Sequence, residues 1–182
     1  MQSNRVRRAV PPLSPARCRL CKQVELAEEA GAEMIMVTCS SIAPGVDVAR
    51  KMVSVPVMKV DEPMAEKAVS LSDNIGVMAT AKTTMAPSVN LVKEKAAEAK
   101  KEITIHQTLS SEAFDCFLRG DMQTHDRIAK DAAEALKGKV GVIVLAQASM
   151  GHLAEAIQDI TGVPVLKSPP LAMDALVEKV KA

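Results

Sequence analysis

The residues best suited to chemistry lie in a few short segments. Thr38-Cys39-Ser40-Ser41 sets a thiol among three hydroxyls. After a buried strand and before a helix, successive backbone N–H groups in such a segment can bind an oxygen anion. A thiolate held there can act as a proton-transfer base or a nucleophile. The competing reading is a buried cysteine whose flanking hydroxyls merely cap the helix. Thr80-Ala81-Lys82-Thr83-Thr84 brings three hydroxyls and a lysine to a second helix start. One threonine is enough for a cap, so Thr80, Thr83 and Thr84 together suggest a carboxylate or phosphate cradle. Gln147 and Ser149 can donate hydrogen bonds, but neither titrates near neutrality. His152 lies just beyond and could titrate. His106, His125 and His152 nevertheless read as surface residues, because no metal-like spacing links them. Asp61 reads as a helix N-cap.

Four cysteines are present, at 18, 21, 39 and 116. Cys18 and Cys21 form a single C-x-x-C with no second pair to complete a zinc site, and no strand precedes them as in a thioredoxin-like motif. Three residues apart on a helix, they share a face and read as packing. Cys116 falls in an apolar pattern and reads as core. A set of free thiols without a signal peptide points to a reducing compartment, and the expected location is cytoplasmic. No Gly-rich dinucleotide fingerprint, Walker loop or nucleophile elbow occurs, so no cofactor and no metal is expected.

The elements that must position these residues are recognisable from pattern. With 182 residues, two Phe, no Trp, no Tyr and 11 Met, a core must be built from aliphatic residues, Ala and Met. That composition suits parallel strands covered by Ala-rich helices. Helical patterns are expected over 19–30, 46–52, 61–71, 86–100, 111–119 and 122–136, and from residue 171. Strands are expected over 33–38, 55–60, 74–79, 102–108, 140–146 and 163–166. The regular alternation predicts an α/β fold with a mostly parallel sheet, whose ligands bind beyond the carboxyl ends of the strands. No apolar run is long enough to cross a bilayer. The formal net charge of +1 gives no reason to expect a nucleic-acid or membrane partner. Six basic residues precede the first acid, Glu25, and with Pro11, Pro12 and Pro15 they read as a disordered basic lead-in over 1–16.

Five segments together carry a resemblance: V-E-L-A-E-E-A-G-A (24–32), V-T-C-S-S-I (37–42), V-P-V-M-K-V-D-E-P-M-A (55–65), I-G-V-M-A-T-A-K-T-T (75–84) and V-I-V-L-A-Q-A-S-M (142–150). In order and spacing the chain resembles the Asp/Glu/hydantoin racemase superfamily. The resemblance implies two pseudo-symmetric α/β lobes, here 17–71 plus 165–182 and 72–164, with the active site between them. It implies a cofactor-independent racemase or isomerase acting at the α-carbon of a small carboxylate, an amino acid or hydantoin. Cys39 matches the first-lobe acid/base cysteine. Ser40, Ser41, Thr80, Thr83 and Thr84 match the substrate-carboxylate positions.

Two departures qualify this. Family members often carry a second cysteine where this chain has Gln147, and an amide cannot exchange a proton at Cα. A one-sided reaction, a replacement base such as His152, a decarboxylase, a cis–trans isomerase of diacids or a non-catalytic carboxylate-binding protein each stay open. A Pro/Arg-rich stretch also stands where the family usually opens with a strand and helix. The first lobe therefore reads as truncated, with an unpaired edge that a truncated gene product or pairing into a homo-oligomer would explain.

Overall fold

A computed structural model describes residues 14–181. Most of the basic lead-in thus lies outside the described residues. Its end does not: Ser14 caps α1 (Pro15–Glu29) by accepting from the Arg17 N–H, and Pro15 supplies the first turn, where its missing N–H costs nothing. Cys21 and Leu20 on this helix are buried, whereas Cys18 is exposed, so only one of the two thiols is buried in the core.

Two parallel sheets organise the chain. The first pairs β1 (Ile35–Val37) with β2 (Val57–Lys59), linked by a 3-10 turn (Ala43–Gly45) and α2 (Val46–Ala49). The second has the order β4-β3-β5-β6, from β3 (Asn74–Ala79), β4 (Thr104–Leu109), β5 (Val142–Leu145) and β6 (Val165–Leu166). Between them run α3 (Glu62–Leu71), α4 (Lys82–Glu98), α5 (Ser111–Leu118), α6 (Met122–Glu134), a 3-10 turn (Ala148–Leu153) and α7 (Ala154–Thr161). The last helix, α8 (Ser168–Lys181), follows β6.

Strand alternation sorts the core. In β3 and β5, Ile75, Val77, Val142 and Val144 face Met64, Ala68, Val89 and Val92 of α3 and α4. Their neighbours Met78, Ile143 and Leu145 face Ala129, Ala133 and Ile157 of α6 and α7. Burial on both faces explains why these strands read as continuous apolar runs. The smaller sheet is covered by α1 and α2 through Leu20, Val24, Val46 and Ala49. Its other face meets α8, where Ala172, Ala175 and Leu176 pack on Met58 and Val60.

One boundary differs in an informative way. Helix α4 begins at Lys82, a turn before the expected residue 86, and it carries Pro87 in its interior. The helix tolerates a proline so close to its start, and that first turn brings Thr83 and Thr84 to the mouth of the sheets.

Candidate functional site

The segments expected to form a site lie at the carboxyl ends of β1, β2, β3 and β5, where an α/β sheet presents backbone amides and loops to a ligand. After β1 the chain turns tightly, with the Ile42 N–H donating to the Cys39 carbonyl and the Ala43 N–H to that of Ser40. This turn leaves Cys39 exposed and Ser40 and Ser41 half-buried. The Ser41 hydroxyl donates to Thr83 Oγ1 at 3.0 Å, a direct link from the smaller sheet to the first turn of α4.

Gln147 leaves the end of β5 and turns its carbonyl oxygen onto the start of α4. There Oε1 accepts from the Thr80 N–H at 2.7 Å, the Ala81 N–H at 2.8 Å and the Thr80 hydroxyl at 3.2 Å. All three partners are donors, which fixes the amide's orientation: oxygen toward the helix, NH2 away from it. An uncharged oxygen thus occupies the pair of amides that a helix start would otherwise offer to an anion. The Thr84 hydroxyl also turns inward, donating to the Ala81 carbonyl at 2.9 Å. Of the three threonines, only exposed Thr83 faces the first-sheet loop. Ser149 sits half-buried in the 3-10 turn, and its carbonyl meets Nδ1 of His152 at 3.0 Å.

Sequence reasoning missed Asp61. It occupies the N-cap position of α3, but it has helical backbone angles and its side chain makes no cap bond. The cap expectation is therefore corrected. The carboxyl is instead buried at 3 % exposure, with Oδ1 unpartnered. Burial pushes its pKa up, against the opposing hydrogen bond from the Ser40 hydroxyl. The pairing Val37↔Lys59 brings both strands out at the same end of the sheet, where the Ser40 hydroxyl reaches the Asp61 carboxyl. A signal was present in the sequence, since two consecutive acids directly after an apolar strand exceed what a cap needs. The second of them, Glu62, takes Arg50 Nη2 on both oxygens at 2.9 and 2.7 Å and the Lys59 N–H at 2.9 Å. Lys59 is buried as well, with its ammonium 3.0 Å from Asp47.

The histidine reading also needs correction. His125 is 1 % exposed rather than superficial, and Asp126 Oδ1 lies 2.7 Å from its Nδ1 and 2.9 Å from Nε2 of His152. A helix and a distant turn bring the two histidines together, so linear spacing gave no hint of it. His152 is engaged on both ring nitrogens, by Asp126 and by the Ser149 carbonyl.

The model of the Asp/Glu/hydantoin racemase family matches residues 6–176. The chain belongs to this family. As a family member it shares its fold with a glutamate racemase from Bacillus anthracis, at 17 % identity and a TM-score of 0.74, over 100 % of this chain and 71 % of that one. An allantoin racemase from Klebsiella pneumoniae is similar at 19 % identity and a TM-score of 0.69, over 96 % and 73 % of the two chains. An aspartate racemase from Picrophilus torridus is similar at 13 % identity and a TM-score of 0.68, over 92 % and 70 %. At these identities the likeness is one of fold. No curated protein matches the sequence significantly. Among the described residues, no helix is long and apolar enough to cross a membrane.

Proposed function

We propose that the chain is a cofactor-independent racemase- or isomerase-type enzyme that moves a proton at the carbon next to a carboxylate of a small substrate. Cys39 is the acid/base. The observation that carries this reading is the convergence at one sheet mouth of an exposed thiol, the Ser41–Thr83 bridge and an amide whose NH2 end is turned outward. In the forward step the Cys39 thiolate takes the α-proton, and the electron pair moves onto the substrate carboxylate. The Gln147 NH2 and the Thr83 hydroxyl donate to that growing charge, with Thr83 oriented by the bond it accepts from Ser41, and preorganised donors matter most at such a point. Thr80 holds Gln147 in place rather than touching substrate, and Thr84 and Ser149 shape the adjoining turns.

Gln147 supplies no base on the opposite side, so the proton returns from the same side, from Cys39 or from Asp61 through Ser40. Each tenfold of rate requires about 1.4 kcal/mol of transition-state stabilisation. A one-sided site therefore favours hydrogen exchange over inversion. The same feature keeps decarboxylation and cis–trans isomerisation of diacids in view, since neither needs a second base.

Proton NMR of single-enantiomer aspartate, glutamate and hydantoins in D2O tests the reading. The expected result is loss of the α-proton signal with little inversion, abolished by Cys39→Ala. Exchange that survives Cys39→Ala, or no exchange, CO2 release or alkene isomerisation with any of these substrates and simple diacids, would overturn it.

A further inference from the structure

The cluster around Asp126 uses none of the side chains assigned to proton transfer and has its own chemistry. One carboxylate oxygen faces ring nitrogens from two elements, Nδ1 of His125 on α6 and Nε2 of His152 on the 3-10 turn. On its other side His152 Nδ1 lies 3.0 Å from the Ser149 carbonyl. A carbonyl can only accept, so the Nδ1–H donates to it and Nε2 is the nitrogen that faces the carboxylate. Two electron-rich atoms facing each other at 2.9 Å need a positive charge between them or a second proton on the ring. A backbone carbonyl holding one ring nitrogen is also the usual way a metal-binding histidine is oriented.

The surroundings are built rather than incidental. His125 is buried, and its ring packs at 5.8 Å from Phe117 and 6.2 Å from the ring of His152. The three donor atoms all lie within 4.8 Å of one another. His152 is 44 % exposed, which leaves one side of the cluster open to water.

We propose that His125 Nδ1, the Asp126 carboxylate and His152 Nε2 form a binding site for a zinc-class divalent cation, with a fourth position open to water. Two histidines and a carboxylate suit such an ion in donor type and number. With bonds of about 2.1 Å, the present 2.7–2.9 Å separations subtend about 80–90° at the ion. Parting the donor atoms to about 3.4 Å, within reach of small side-chain rotations, gives tetrahedral angles. The ion would pin the turn following Gln147 onto α6. The proposal does not depend on the proposed activity.

The test uses the full chain, stripped with a chelator and titrated with Zn2+ against a chromogenic competitor, then with Co2+ for its visible spectrum. One Zn2+ per chain is expected, with four-coordinate Co2+ bands and no thiolate charge-transfer band. His152→Ala and Asp126→Asn should each weaken binding by more than the about 10–100-fold that loss of an outer-shell partner costs. His152→Ala alters an exposed side chain, and far-UV circular dichroism verifies that it folds. Cys18→Ser should leave binding unchanged. Absence of stoichiometric binding at micromolar Zn2+, a thiolate band, or binding that survives His152→Ala would overturn the proposal.

Discussion

Replacing Gln147 by alanine removes the acceptor shared by the Thr80 and Ala81 amides and the Thr80 hydroxyl. Thr80 and Ala81 are 1 % and 6 % exposed, so their N–H groups have no route to bulk water unless the vacated space admits a molecule. If a water replaces the side chain, two amide bonds at about 1 kcal/mol each are lost, or about 2 kcal/mol. If the space stays dry, the desolvation cost raises this to about 4 kcal/mol. Gln147→Glu has nearly the same shape but places a charged oxygen at the positive end of α4, which should stabilise the fold by about 0.3–1 kcal/mol. Urea unfolding of the three proteins, followed by far-UV circular dichroism because the chain has no Trp or Tyr, measures both effects. An alanine variant within about 0.5 kcal/mol of the parent would refute the reasoning. So would a glutamate variant as damaged as the alanine one, since the amide oxygen would then not be sitting in an anion-type site.

Asp61 predicts an unusual pH dependence. Its folded pKa is raised by burial, so the folded chain holds the proton more tightly than the unfolded one. That stabilisation is fully present below the ordinary carboxylate value of about 4 and is lost as pH rises through the raised value. Asp61→Asn should therefore gain Tm relative to the parent on going from pH 4 to 7; parallel Tm profiles would contradict this. Glu62→Ala removes the partner of Arg50 Nη2 and of the Lys59 N–H together, leaving Arg50 with the Val57 carbonyl and Asp47. Breaking a buried pair costs about 3–5 kcal/mol, and because the Arg50 side chain is 36 % exposed the expected loss is about 2–3 kcal/mol in urea unfolding.

The sequence made the alternation of strands and helices legible because parallel strands buried on both faces leave unbroken apolar runs. The expected 74–79 strand is β3 to the residue, and the strong 140–146 signal contains β5. The loops after β1, β3 and β5 were located for the same reason. What those loops do with their polar groups was not legible. Gln147 and Thr80 are 67 residues apart, and nothing local shows that the amide folds back onto the helix start. Asp61 was read through the commonest role of an acid before a helix, which its helical backbone angles rule out. His125 and His152 meet only because α6 and the turn after β5 pack on one face of the larger sheet.

Pro87 gives α4 a mechanical character that its length conceals. The missing proline N–H is the one that would pair with the Thr83 carbonyl, and the ring presses against that same group. The first turn is thus tied to the remaining helix by one bond fewer than its neighbours, at the place where proline-bearing helices bend. Thr83 rides on this turn while hydrogen-bonded to Ser41 across the mouth of the sheets. A ligand that displaces the Ser41–Thr83 bond therefore loosens only the exposed side of this turn, because Met85 keeps its other side in the core and Gln147 holds its start.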